Sequence, residues 1–405
     1  MASVECSFDH RHYVPILRQK YAEMEALRYL LSADKQHVTP LIELPPTLIK
    51  RYRKKLTNSS DFFREIAIEI AGAWGQAPLF IDIKLLCTVY GLPGGPHPLW
   101  SFSDVARTLR LPIIIPVTGL NRSQGYQMAV GKVVAADGRG VCVRLLEADL
   151  YDPLLEKRLR GLLDSLKIEP KQTDLLVDFK LIGSKWMDFT ELCRRLPLLS
   201  AWRTFTVASG AFPKDLSDFA KNGQYELSRD DWLHWFNQVK NGASLTRRPS
   251  FSDYTIQHPV YSAPLDKPNI SASIRYTAEK YWVIMRGEGL RNEGGAGFDQ
   301  YWANAQLLSE RKEFSGPNFS RGDNYIYTIG QQNKKTGNPT TWLEAGINHH
   351  LTYVTRQIAS SFESSTGGVP GNGSGPGLRP RRVSRIPARE ASNAGLQPYQ
   401  VPLIS

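Results

Sequence analysis

From Tyr13 to Ile256, short apolar runs alternate with longer stretches of helical periodicity, and that rhythm admits few folds. The expected strands are Tyr13–Leu17, Val38–Glu43, Leu79–Ile83, Pro112–Val117, Gly140–Leu145, Leu175–Phe179, Arg203–Ala208 and Ser252–Ile256. They are rich in Val, Ile, Leu and Phe, and each is bounded by Pro, Gly, Asp or Asn. Amphipathic stretches lie between them at Lys20–Leu31, Asp61–Trp74, Phe102–Arg110, Asp152–Leu166, Met187–Arg195 and Asp230–Lys240, with a weaker one at Gln124–Ala136. In the second, Phe62, Ile66, Ile70 and Trp74 recur at helical spacing, and Asp61 can cap the first turn. Strand and helix repeated to a count of eight predict an α/β fold, an eight-stranded parallel (βα)8 barrel of the TIM type. A doubly wound open sheet is the competitor.

Beyond the eighth strand the pattern changes. Asn269–Tyr276 and Tyr281–Arg286 read as an antiparallel pair, followed by the Gly-rich stretch Gly287–Gly297. A helix at Gln300–Arg311, an irregular segment Phe314–Pro339 and a last helix from Thr341 to Ser361 come next. The expected organisation is a barrel over 1–262, a β-hairpin and helical extension packed on it over 263–362, and a disordered basic tail rich in Gly, Pro and Arg over 363–405.

Composition sets bounds on function. At 41% hydrophobic and 22% charged residues, the chain can build an ordinary globular core. No window approaches the ~18 unbroken apolar residues of a membrane helix, so no membrane partner and a cytoplasmic location are expected. Cys6, Cys87, Cys142 and Cys193 are far apart and form no C-x-x-C pair, which argues against zinc and disulfides. The net charge of +11 favours polyanions, although five arginines against one glutamate after Thr366 carry part of it. The densest run, Lys50-Arg51-Tyr52-Arg53-Lys54-Lys55, reads first as a solvated face and second as a nucleic-acid contact.

In a parallel barrel, chemistry gathers at the carboxyl ends of the strands. Those ends carry Arg18 and Lys20, Glu43, Asp82 and Lys84, Thr118 with Asn121 and Arg122 beyond, Arg144, Asp178 and Lys180, Ser209, and Gln257. Leu79-Phe-Ile-Asp82-Ile-Lys84 and Leu175-Leu-Val-Asp178-Phe-Lys180 repeat one pattern. Strand alternation would turn each Asp and Lys to one face, inside the mouth. Asp82, Lys84, Asp178 and Lys180 are therefore the candidate catalytic groups. Arg18, Lys20, Glu43, Asn121, Arg144, Ser209, Gln257 and, from the hairpin, Arg286 are candidate ligand-binding groups. The expected ligand is anionic, a phosphate-containing nucleotide or nucleic acid. The competing reading makes the same charges internal ion pairs of a non-catalytic sensor or interaction protein.

No cofactor or metal is expected. Glu43, Asp82 and Asp178 could hold magnesium, but each has a competing cation nearby. His349 and His350 are neighbours on a helix, about 100° apart, so one metal would rarely take both. No Walker loop, G-x-G-x-x-G, H-E-x-x-H or G-x-S-x-G motif is present in a supporting context.

Several segments together resemble the beta protein family of phages and bacteria, named after a phage T4 member. They are Tyr13-Val-Pro-Ile-Leu-Arg18, Thr39-Pro-Leu-Ile-Glu43, Phe80-Ile-Asp82, Ile115-Pro-Val-Thr-Gly119, the run from Trp202 to Pro213, Asp253 to Pro259, Ile274-Arg-Tyr276, Gly322-Asp323 and Thr341 to Thr352. The resemblance spans roughly residues 10 to 360. It implies a setting of mobile elements and anti-phage defence, with a neighbouring defence protein as partner, and no settled reaction. It also adds Asp323 and His349 to the ligand-binding candidates.

Overall fold

The computed structural model describes residues 7–52, 59–88, 96–111, 113–182, 188–242, 245–263, 270–291, 297–332 and 335–362. The expected tail, Cys6, Arg53 to Lys55 and residues 292–296 of the Gly-rich stretch lie outside these residues.

Eight parallel strands run in sequence order around one sheet: β1 (Ile16–Arg18), β2 (Leu41–Glu43), β3 (Leu79–Asp82), β4 (Ile114–Thr118), β5 (Val141–Leu146), β6 (Thr173–Leu181), β7 (Thr204–Gly210) and, after one strand of another sheet, β9 (Ser250–Ser252). The ring closes because Val14 N donates to Phe251 O (2.9 Å) and Ile16 N donates to Asp253 O (2.8 Å). That closure excludes the open sheet. Every expected inner strand appears, but the eighth ends at Ser252 instead of continuing to Ile256. The Asp253 carboxylate accepts the Thr255 amide at 3.0 Å and Thr255 takes φ +58°, so a side-chain-closed turn ends the strand.

A smaller antiparallel sheet has the order β10 (Ser271–Thr277), β11 (Tyr281–Gly289), β8 (Gly223–Ser228). The hairpin matches its sequence pattern. β8 had no counterpart in the sequence reading, because its half-exposed alternation is short and carries few apolar residues. The helix Arg321–Gln332 was also missed, within the segment read as irregular. Gly322 and Gly330 lower its intrinsic propensity, yet both are placed by contact. A Cβ at Gly322 would lie 2.1 Å from the Ala345 carbonyl oxygen, and one at Gly330 would lie 2.9 Å from the Gln306 amide nitrogen. Helix crossings that close leave no room for a side chain.

Among the described residues no helix follows β9 directly. The final helix, Pro339–Phe362, supplies the missing outer layer there. Asn338 caps it, its Oδ1 accepting the amides of Thr340 (2.9 Å) and Thr341 (3.3 Å). Ile347, Leu351, Val354 and Ile358 join the core that contains Leu17 and Phe251. Asn348 Nδ2 donates to the Ala26 carbonyl at 2.9 Å, and Phe362 packs edge-on against Trp235. No helix among the described residues is long and apolar enough to cross a membrane.

Candidate functional site: the barrel mouth

The pleat sets the site. Ile16, Leu41, Phe80, Cys142 and Leu176 point inward and, with Val14, Ile115, Val117, Ala208 and Tyr254, fill the barrel with an apolar plug. Two residues further along the same strands come Arg18, Glu43, Asp82, Arg144 and Asp178, which therefore also point inward. They form a charged layer directly above the plug and are only 1% to 7% exposed.

Arg144 organises this layer. Its Nη1 donates to Glu43 Oε1 and Asp82 Oδ2, both at 2.9 Å, and its Nη2 donates to Asp178 Oδ2 at 2.7 Å and to the Tyr254 hydroxyl at 2.8 Å. The Tyr254 hydroxyl in turn donates to Asp178 Oδ2 at 2.7 Å. Arg122 Nη2 reaches Asp82 Oδ2 at 2.8 Å, and Arg18 Nε approaches Glu43 at 3.6 Å. Gly119 allows this packing, since a Cβ there would lie 2.6 Å from the Arg144 carbonyl oxygen. The guanidinium of Arg144 lies among all three carboxylates that could have shared a cation, and no group of three or more His, Cys, Asp or Glu among the described residues is placed to hold a metal.

The repeated Asp-x-Lys pattern turns out to be a turn signal. Asp82 Oδ1 accepts the Lys84 amide at 3.0 Å, and Asp178 Oδ1 accepts the Lys180 amide at 2.9 Å. The chain leaves extended geometry at both places, so the expected shared strand face fails for the lysines. Lys84 opens the short helix Lys84–Cys87 with an exposed side chain, and Lys180 has φ +58° beside a register break. Lys180 Nζ still returns to Asp178 Oδ2 at 3.0 Å and to the Tyr254 hydroxyl at 2.9 Å. Lys84 Nζ makes no hydrogen bond or ion pair among the described residues.

Burial alone would raise the carboxyl of Asp82, but Arg122 and Arg144 outweigh it and hold the group below the ordinary range. Burial likewise acts against Asp178, where Arg144 and Lys180 prevail. Both carboxylates stay ionised with their lone pairs occupied, which suits them to positioning cations rather than taking up protons. Unfolded aspartates titrate near about 3.9. A depressed folded value gives stabilisation that is complete above that pH and lost as pH falls through the lower folded values. Asp231, pushed up to about 7 by burial and by the charge of Asp253, acts with the opposite sign above that window. The urea midpoint is therefore expected to fall steeply below about pH 4, and less steeply in Asp82→Asn.

The other candidates divide by place. Asn121 is at the mouth, donating to Asp149 Oδ1 at 3.0 Å, while Arg122, one residue on, makes the contact to Asp82. Lys20, Gln257 and Arg286 line a neighbouring cleft, where Gln257 donates to the buried Glu23 at 2.8 Å. Ser209 is buried at the end of β7. Asp323 and His349 are fully buried and paired with each other at 2.9 Å, on helices outside the barrel; neither lines the mouth. Sequence reasoning missed Tyr254 and left Arg122 out of the site. Tyr254 was legible as the next inward position after Ser252, had the turn at Asp253 been recognised.

Fold and mouth together define an α/β-barrel protein with a charged layer closing one end over an apolar interior. The chain belongs to the Beta protein family, whose model matches residues 13–356. No curated protein matches the chain. Among solved structures, the YdjI aldolase from Escherichia coli K12 aligns over 88% of this chain and 93% of its own, with 9% identity and a TM-score of 0.35.

Proposed function

We propose that the protein binds a phosphate-containing ligand, a nucleotide or nucleic acid, by seating a phosphate group in the barrel mouth. The observation that carries this reading is the surplus of cations once every carboxylate of the layer is paired. Above the layer lies a cavity of about 230 Å³ bordered by Lys84, Arg122, Asn121 and Lys180. The Lys84 ammonium has no acceptor within hydrogen-bond or ion-pair distance among the described residues, and Arg122 Nη1 is buried without an acceptor. Whole-ligand sites measure roughly 300–1,000 Å³, so the cavity suits one anionic group of a larger molecule. Such ligands fit the setting of mobile elements and anti-phage defence that the sequence resemblance implies and that forms part of this proposal.

Titration of the intact protein with inorganic pyrophosphate, followed by calorimetry, tests the reading. Lys84→Ala removes an exposed side chain and is expected to weaken binding about tenfold, ~1.4 kcal/mol. Wild-type protein that takes up no pyrophosphate, or a Lys84→Ala variant of unchanged affinity, would overturn it. The saturation of Arg144 by three carboxylates favours a second reading, in which the layer is purely structural and the protein is a non-catalytic sensor; those same negative results are what it expects.

A further inference from the structure

In the mouth every carboxylate of the charged layer has a cationic partner, whereas the cleft beside it holds cations with almost no carboxylates. That cleft, of about 600 Å³, lies between the barrel rim and the smaller sheet. Six cations line it: Arg18 at the end of β1 and Lys20 just after it, Lys214 and Lys221 after β7, and Arg275 and Arg286 on the β10–β11 hairpin. The hairpin pleat puts them there. Ser271, Ser273 and Arg275 share one face of β10, while Ala272, Ile274 and Tyr276 pack against the extension helices. Ser273 sits opposite Arg286 across the pair.

Among the described residues, only Arg18 of the six has a carboxylate partner, Glu43 in the mouth. Arg275 stacks on Phe212 and donates from Nη1 to the Ile256 carbonyl at 2.9 Å; its other nitrogens make no hydrogen bond, and burial pushes it down to about 10. Arg286 reaches only the Ser271 hydroxyl, at 3.4 Å, and its Nε is buried without an acceptor. The single carboxylate in the lining, Asp215, is turned to Ser217. Arg275 and Arg286 are half-buried, and guanidinium groups that give up water without gaining a carboxylate are costly unless an anion answers them.

We propose that this cleft is a second binding site, separate from the mouth, for a compact ligand carrying two or more phosphates, such as a nucleoside triphosphate. The cations come from three segments converging on a bounded space, which fits a compact polyanion better than a long strand that must continue past the protein. Leu216, Ile256 and Leu343 give the same cleft apolar wall for the rest of the molecule. Arg18 stands between the two sites, its Nη2 holding the carbonyls of His258 and Pro259 at 3.0 Å each, in the segment that separates them.

Calorimetric titration of the full chain with ATP is the experiment. Lys214 and Lys221 are exposed, so a Lys214→Glu, Lys221→Glu double variant should keep the fold, checked by circular dichroism. The proposal expects wild-type protein to bind ATP, the double variant to bind it in the cleft at least about tenfold more weakly, and Lys84→Ala to keep that cleft binding while losing any ATP held at the mouth. Absence of ATP binding, or equal affinity in the double variant, would refute the site. Loss of all ATP binding in Lys84→Ala would show one site at the mouth and refute their separateness. Displacement of ATP by a 20-nucleotide single strand (about that length, enough to exceed one OB-sized footprint) with much tighter affinity would make the occupant nucleic acid and refute the compact ligand.

Discussion

Arg144→Leu is expected to lower the free energy of unfolding by about 3–5 kcal/mol, read as a large fall in the urea midpoint. Three carboxylates converge on this one guanidinium, and the plug beneath the layer offers them no donor besides the Tyr254 hydroxyl. Without Arg144, Glu43 loses its closest partner, and Asp178 keeps only Lys180 and Tyr254. The cost is therefore that of uncompensated buried charge rather than of lost contacts alone. Natural domains hold about 5–15 kcal/mol in all, so the variant should be marginal at best. Arg144→Lys keeps the charge but cannot span Glu43, Asp82 and Asp178 with one ammonium, and should fall in between. A loss below about 1 kcal/mol would mean that the layer behaves as a solvated surface.

His349→Leu is expected to cost about 3 kcal/mol and to leave pyrophosphate and ATP affinity per folded molecule unchanged. Both ring nitrogens face acceptors, Nδ1 toward Asp323 Oδ2 at 2.9 Å and Nε2 toward the Thr277 carbonyl at 2.8 Å. The ring lies flat on Tyr276, with centroids 3.8 Å apart. Leucine fills part of the space and strands both acceptors, leaving Asp323 with the hydroxyls of Tyr276 and Ser320. The neighbouring His350 serves the other side of the helix, toward Asp253 at 2.9 Å. Together the two histidines clamp the final helix between extension and barrel. A stable variant that loses ligand would instead return His349 to the binding site where the family resemblance put it.

What could be read from sequence follows from what is local. Inward positions recur every second residue, so Arg18, Glu43, Asp82, Arg144 and Asp178 could be placed on one rim from strand spacing alone. Lys84 and Lys180 could not, because a two-residue turn closed by the preceding aspartate looks the same as alternation until the backbone angle is known. β8 and the helix Arg321–Gln332 were hidden for another reason. Their short apolar content and their glycines make sense only against partners distant in the chain, Met285 across from Gln224 and Ala345 against Gly322. The pairing of charges in the mouth, and its failure in the cleft, is likewise a matter of three-dimensional distance.

The borrowed outer helix has a consequence for how the protein is made. Asn348 meets Ala26 across 322 positions of sequence, so the β1–β9 seam stays bare on its outer side until nearly all the described chain has left the ribosome. Contacts of such long range slow folding, and exposed strand edges invite association in the meantime. The outer layer of the barrel is thus completed late in synthesis, and nascent copies stalled before Pro339 should be ready clients for chaperones.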